Sequence, residues 1–458
     1  MKTIKPLLLA ATVLCGLYLG KKLWRAAAIA MLFLTLKASA TVCYVNVNGA
    51  APAPPYTNWL TAATNIQDAI DAANANDQIL VTNGIYQTGG RVVYGSLTNR
   101  VAVTKALIVR SVNGPAVTVI QGYQVPGTTN GDSAIRCVYL TNGAALVGFT
   151  LTNGATSGNG GGLYCDSTNA FASDCMITVN SASGYGGGTY SGTLSNCVIT
   201  GNSAGFCGGG GSYESTLNKC LITRNVGGGT VRGILNNCVV SLNTASSSGS
   251  DFGSGVSFGI QNNCTIVSNT GYGAGAYYAQ LNNCIVYYNQ GNYSDDCYNS
   301  QLNHCCTIPQ FGYASDNGSF GNGSFTNAPI FVDLAGGDLR LQSNSPCINS
   351  GDNAFAPNGT DLDGNPRIVG GTVDVGAYEF QTPAPRISHV WLQQFGLPTF
   401  GFNITGDSNM VVVVEVCTNL SNPAWQPVQT NTLTGGTSNF SDPQWTNYPG
   451  RFYRLRSP

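Results

Sequence analysis

The sequence predicts an all-β protein: a right-handed parallel β-helix solenoid followed by a small C-terminal β-sandwich. Three observations carry the prediction. A nine-residue phrase recurs down the middle of the chain, a glycine cluster separates successive copies, and 59 glycines with abundant Asn, Thr and Ser among 458 residues suit a β-solenoid. The phrase reads Leu194-Ser-Asn-Cys-Val-Ile-Thr-Gly-Asn202 and returns at Leu217–Asn225, Leu235–Asn243, Gln261–Asn269 and Leu281–Asn289. Ser173–Asn180 is a looser copy and Leu302–Ile308 a decaying one. The phrase cysteines are Cys175, Cys197, Cys220, Cys238, Cys264, Cys284 and Cys305, with successive gaps of 22, 23, 18, 26, 20 and 21 residues. One strand-turn unit every twenty-odd residues marks a solenoid.

Within a repeat, Cys197 and Ile199 share one face of a strand while Val198 and Thr200 share the other, because side chains alternate. Cys238/Val240, Cys264/Ile266 and Cys284/Val286 repeat the first pair, which predicts a buried face. Asn196, Asn237, Asn263 and Asn283 precede the cysteines, where Asn suits a turn, and stacking is expected to align these amides into a ladder. Tripled glycines such as Gly186-Gly187-Gly188 and Gly227-Gly228-Gly229 are expected at the corners. The repeat is too short for a propeller blade and lacks the dense leucines of a leucine-rich repeat. Roughly ten coils at ~4.8 Å each predict a rod on the order of 50 Å long.

The net charge of -1, with no basic run after Arg25, excludes a nucleic-acid footprint. Residues 1–40 read as an export segment. Met1 to Lys5 is a positive start, Leu7 to Gly20 is apolar, and a second apolar run from Ala26 to Leu36 ends in Ala38-Ser39-Ala40, an A-x-A cleavage signal. Cleavage after Ala40 is the expectation, with Leu7 to Gly20 as a membrane-associated segment the alternative. No other membrane contact is expected, and the location is secreted or cell-surface. Fifteen of the 16 cysteines remain after cleavage. Their inward positions predict a reduced, buried stack, with disulfides between vertical neighbours the alternative. No CxxC pair exists, which disfavours zinc.

The β-helix is expected over 41–326. Ile66, Ala69, Ile70 and Ala73 fall at i, i+3, i+4 and i+7, predicting a short amphipathic helix before the strands Gln78–Thr82, Val101–Ser111 and Ala116–Gly122. Ile66 to Ala73, Asp77 to Val81, Gly84-Ile-Tyr86 and Thr118 to Gly122 together resemble the opening of pectin-lyase-like β-helix proteins, which implies that the helix caps the open end of the solenoid. The glycine clusters and Asn-ended phrases also resemble repeats of polymorphic outer-membrane adhesins.

Further on, Ala328–Asp333, Gly337–Leu341, Ser345–Asp352, Asp361–Arg367 and Val373–Phe380 resemble the "choice-of-anchor Q" module of exported bacterial proteins, which predicts an end to the solenoid over 327–380. No hydrophobic run with basic residues, as in a sorting tail, follows it. After a Pro-containing linker at 381–386, residues 387–458 read as a separate small β domain with strands at Phe400–Ile404, Val411–Val416 and Arg451–Leu455 and a turn at Thr434-Gly-Gly436. Cys417 to Trp425 and Arg451-Phe-Tyr-Arg454 resemble the fibronectin-like C-terminal sandwiches of exported Verrucomicrobia-type proteins.

Catalytic residues are not assigned. Polygalacturonase-type hydrolases combine Asn-Thr-Asp, Asp-Asp, Gly-His-Gly and Arg-Ile-Lys motifs, and that combination is absent. Lyases of the pectin-lyase-like fold pair a Lys or Arg base with acidic calcium ligands. Lys219, Arg224 and Arg232 lie in adjacent coils, yet Glu214 is the sole carboxylate between Ser181 and Ser250. His304 and His389 read as structural or solvated. Asp361, Asp363 and Asn365 alternate oxygen ligands as a calcium loop does, or form an ordinary Asp/Asn/Gly turn. Tyr190, Tyr213, Tyr277, Tyr287 and Tyr288, among Asn, Ser and Thr, either form an aromatic platform for sugars or stack as a structural ladder. The expected role is a binding or adhesive scaffold for polysaccharide or cell-surface glycan. A polysaccharide lyase or glycoside hydrolase is the alternative, and a purely structural envelope protein the second.

Overall fold

The computed structural model describes residues 40–458 apart from 206–207, 246–252, 272, 274, 292–294, 311–318, 357–358, 382–384, 394–397, 407–409 and 457–458. Residues 1–39 of the expected export segment at 1–40 lie outside the described residues. Among them, no helix is long and apolar enough to cross a membrane.

The chain winds as a parallel β-helix with three long sheets of twelve, ten and eleven strands, the right-handed sense being that of parallel crossovers generally. Each coil visits them in turn. Thr193–Ser195 belongs to the first, here the leucine sheet, and Val198–Thr200 to the second, the phrase sheet. Ser212–Tyr213 belongs to the third, the tyrosine sheet. The register is one repeat per rung: Leu194 pairs with Leu217 and that with Leu235, while Ile199 pairs with Ile222 and that with Val240. These columns are fully buried and form one continuous core with the phrase cysteines.

The tripled glycines do sit at corners, with Gly160, Gly186 and Gly209 at φ 64–67° before the tyrosine-sheet strands, but they make only some of the corners. Each long corner turns on one residue with left-handed backbone, usually not glycine. Before the cysteines these are Asp174, Asn196, Lys219, Asn237, Asn263, Asn283 and His304, with φ from 49° to 55°. That explains the Asn of the phrase, since Asn tolerates the left-handed region better than most side chains. The last glycine of each tripled cluster serves close approach. A Cβ on Gly211 would stand 2.4 Å from the Gly229 carbonyl oxygen and 3.0 Å from Asn225 Nδ2.

Asn225 belongs to a ladder built from the last residue of the phrase, not from the one preceding the cysteine. Nδ2 of Asn180, Asn202, Asn225, Asn243 and Asn269 donates to Oδ1 of the next coil's Asn at 2.9–3.0 Å, ending at Asn289. A second, outer ladder links Asn218, Asn236, Asn262, Asn282 and Asn303 at 2.8–2.9 Å. Of the residues expected to stack, Asn263 and Asn283 do bond, at 3.1 Å, whereas Asn196 reaches Asp174.

The amphipathic helix forms over Ile66–Ala72, capped by Asn65 Oδ1, which accepts from the Asp68 N–H at 2.9 Å. Its Gln67 donates to the Ala102 carbonyl and accepts from the Ala102 N–H, so the side-chain amide pairs with a strand at the sheet end. Lys105 Nζ closes the helix by donating to the carbonyls of Ile70, Asp71 and Ala73.

The segment at 327–380 returns along the flank of the phrase sheet. Arg367 reaches Asn263 Oδ1, Asn283 exchanges hydrogen bonds with the Asp352 backbone, and Ala377 N–H donates to Thr265 Oγ1. Outward Val239, Val267, Ile285 and Cys306 of the phrase sheet form a second apolar core with Phe331, Leu339, Leu341, Cys347, Val375 and Ala377.

The C-terminal unit is a sandwich of two three-stranded antiparallel sheets around Phe402, Ile404, Val412, Val414, Leu433 and Phe440. Its first strand, Arg386–Gln393, begins inside the expected linker, and strands at Gln426–Thr432 and Thr437–Asp442 complete it.

Candidate functional site

The outer face of the phrase sheet carries two regular rows, because every second residue of its strands points away from the core. One row is Val119, Thr150, Met176, Val198, Leu221, Val239, Thr265 and Ile285. The other is Gln121, Thr152, Thr178, Thr200, Thr223 and Ser241, so hydroxyls recur at one-coil spacing. The returning segment covers this face only toward its C-terminal end. Where the cover begins there is a groove of about 300 Å³. Leu221, Val239 and Val267 line its sheet side with Thr223, Ser241 and Ser268, and Leu334 to Gly337, Leu339 and Tyr378 form the facing wall.

Arg224 lies at this groove, on the corner following Thr223 with φ 55°. Its exposed guanidinium has no ion pair or hydrogen bond among the described residues. On the facing wall, Tyr378 is backed by Arg340, whose guanidinium sits 5.3 Å from the ring centre, and burial pushes the phenol up to about 12. Apolar floor, hydroxyl rim and one uncommitted cation suit a polar ligand with an apolar face and an anionic or hydroxyl-rich edge.

Tyr190, Tyr213 and Tyr277 do fall on one face, in the outward column of the tyrosine sheet. Tyr139, Tyr164, Tyr190 and Tyr213 stack with centroids 5.8, 5.1 and 5.7 Å apart and planes within 9°. Tyr277 and Tyr298 form a second stack at 5.4 Å. Between the stacks the column passes through Val231 and Ser257. Ring faces inside a stack are occupied by neighbouring rings, so the outer surface of each stack consists of edges and hydroxyls. Tyr287 and Tyr288 are elsewhere, on the phrase sheet and its corner, where their hydroxyls donate to the carbonyls of Thr326 and Pro329. They anchor the returning segment.

Asp361, Asp363 and Asn365 are not brought to one point. Asp361 is fully buried, and its two oxygens accept from the N–H groups of Asn365 and Glu379. Asp363 turns outward into a two-bond pair with Arg340, at 2.7 and 2.8 Å. Asn365 contributes its backbone. Nearby Asp374 and Glu379 likewise accept from backbone N–H groups around buried Arg367. Burial pushes the Glu379 carboxyl up to about 7. Among the described residues, no three His, Cys, Asp or Glu side chains are grouped to hold a metal.

Lys219, Arg224 and Arg232 occupy three different corners of the coil and do not converge. Lys219 Nζ bonds Thr360 Oγ1, and exposed Arg232 lies 3.8 Å from Glu214. The Asp-Asp pair at 295–296 carries no weight in the sequence reading. Asp296 is nevertheless a structural group: its Oδ1 accepts from Asn289 N–H and Nδ2 at 2.9 and 3.2 Å, ending the inner ladder, and burial raises its carboxyl to about 6. The groove is also missed from sequence, because half of it comes from a segment more than 60 residues away along the chain.

No family model and no curated protein matches the chain. Among solved structures, a rhamnogalacturonan lyase superposes with a TM-score of 0.40 at 11% identity, covering 67% of this chain and 96% of that one. The Dettilon tailspike protein superposes with a TM-score of 0.29 at 12% identity, covering 91% and 95%. Both likenesses are slight, and the β-helix here stands on its own strand pairing.

Proposed function

We propose that the protein is an exported, surface-associated scaffold that binds a polysaccharide or cell-surface glycan along the outer face of the phrase sheet. The observation that carries the reading is the hydroxyl row from Thr152 through Thr200, which runs into the groove beside the uncommitted guanidinium of Arg224. A linear saccharide laid along the rod meets a hydroxyl at each coil and an apolar wall and a cation at the groove. The A-x-A segment at Ala38-Ser39-Ala40 and the choice-of-anchor Q-like blocks of 327–380 support export and surface attachment.

Titration of the purified protein against neutral and uronic-acid polysaccharides tests this reading. Binding should appear with at least one, and Arg224→Ala should weaken it about 5- to 10-fold without changing the melting temperature. If no polysaccharide binds, the scaffold reading is lost. If a uronic-acid polymer yields products absorbing as unsaturated sugars, the protein is an enzyme instead.

A further inference from the structure

We propose that the stacked tyrosines form a relay for one-electron oxidation, in which an electron vacancy entering at exposed Tyr185 comes to rest on buried Tyr139 as its phenol proton passes to Asp166. The proposal is independent of glycan binding. It rests first on the order of the rings in space, which runs Tyr185, Tyr213, Tyr190, Tyr164, Tyr139, Tyr94. Successive centroids lie 4.4, 5.7, 5.1, 5.8 and 5.9 Å apart. The first four contacts are stacked with planes within 22°, and the last is edge to face. These are the separations of touching aromatic pairs, so an electron moves along the row in single ring-to-ring steps. Strand register sets the row, because Tyr139 pairs with Tyr164, that with Tyr190 and that with Tyr213.

The rings differ in access and in what their hydroxyls meet. Tyr185 is 46% exposed on a fixed backbone, its N–H donating to Asn159 Oδ1 and its carbonyl accepting from Gly160 N–H, both at 2.9 Å. Tyr139 is 2% exposed, which keeps a radical there from meeting a second one. Its hydroxyl donates to Asp166 Oδ2 at 2.6 Å, within the range of charge-assisted O–H···O⁻ bonds. Thr141 Oγ1 donates to the same oxygen at 3.1 Å and holds it in place. An oxidised phenol is a strong acid, and a carboxylate already hydrogen-bonded to it takes the proton without either heavy atom moving. Tyr164 has a guanidinium instead, that of Arg136 at 5.0 Å from the ring centre, and a neighbouring cation disfavours positive charge on that ring. The vacancy therefore crosses Tyr164 and stops at Tyr139. In balance, a one-electron oxidant gains one electron, Tyr139 becomes a neutral phenoxyl, and the Asp166 carboxylate becomes a carboxylic acid. A one-electron donor of the ascorbate class reverses the step, with the proton returning from Asp166.

The full chain oxidised by photogenerated ruthenium(III) tris-bipyridine, and followed by electron paramagnetic resonance, tests the relay. The wild type should show one long-lived neutral tyrosyl radical, lost in Tyr139→Phe. Asp166→Asn keeps an acceptor oxygen but is no base, and should shorten the lifetime about 10-fold at an unchanged melting temperature. In a Tyr94→Phe background, which closes the shorter entrance, Tyr164→Phe/Tyr190→Phe keeps the stacked rings and removes two phenols. That change should cut the radical yield about 5-fold and raise dityrosine cross-linking at Tyr185. No lasting radical in the wild type, an equal lifetime in Tyr139→Phe or Asp166→Asn, or a yield untouched by removing the two phenols would overturn the proposal.

Discussion

Two asparagine ladders run along this solenoid, one inside it and one outside, and they differ in what each amide must do. In the inner ladder Asn202 Oδ1 accepts both N–H and Nδ2 of Asn180, while its Nδ2 donates to Asn225 Oδ1 and to the Ile177 carbonyl. Every polar atom is used, and the residue is fully buried. In the outer ladder Asn236 bonds one Asn above and one below, and water reaches the rest of the amide. The geometry of the vertical bonds is the same. What differs is the medium, because a buried group that loses its partner has no water to replace it.

The largest expected effect breaks the inner ladder. Asn225→Ala removes the acceptor for Asn202 N–H and Nδ2, and the donor to the Ile199 and Asn243 oxygens, all of them buried. With several groups orphaned at ~1–3 kcal/mol each, partly relieved by water entry, the loss should be about 3 kcal/mol or more. Urea or thermal unfolding reads it, and a loss below about 1 kcal/mol would deny that burial sets the value of the ladder.

A smaller effect of opposite sign comes from a buried amide outside either ladder. Gln261 takes the place of leucine in the column Leu217, Leu235, Gln261, Leu281. Its Oε1 has no partner, and its Nε2 reaches the Gly233 and Phe258 carbonyls only at 3.4 Å. Gln261→Leu should therefore stabilise the protein by about 1–2 kcal/mol. Destabilisation would mean that the weak bonds of Gln261 fix the corner at Phe258.

The ladders also mark where sequence could and could not be read. The period of the phrase made the coil and the inward cysteines legible, since alternation along a strand fixes the faces of Cys197 to Thr200. The same phrase contains asparagines at three places, and spacing alone does not say which one turns inward. That depends on the left-handed residue at each corner, whose φ no periodicity reveals: Asn196 and Asn237 spend themselves on the corner, so Asn202 and Asn243 form the ladder. The tyrosines at 190, 213 and 277 were legible as a shared face for the same periodic reason. The groove at Arg224 was not, because it exists only after residues 334–339 and Tyr378 have folded back on a sheet that the local pattern shows as half-exposed.

The smallest effect tests the outer ladder. Asn236→Ala cuts the bonds to Asn218 and Asn262, yet both partners keep a second bonding direction open to solvent, and the backbone register at Asn236 is held by its own strand pairs. Water replaces the lost partners, and alanine is free of the side-chain entropy that an ordered amide gives up. The expected change in unfolding free energy is about 0.5 kcal/mol or less. A loss near that of Asn225→Ala would show that the outer amides act as one cooperative chain whose strength does not depend on burial. The double variant Asn218→Ala/Asn262→Ala, whose two members share no bond, settles which holds: independent, water-replaced bonds give a sum of two small losses, whereas a cooperative chain departs from that sum.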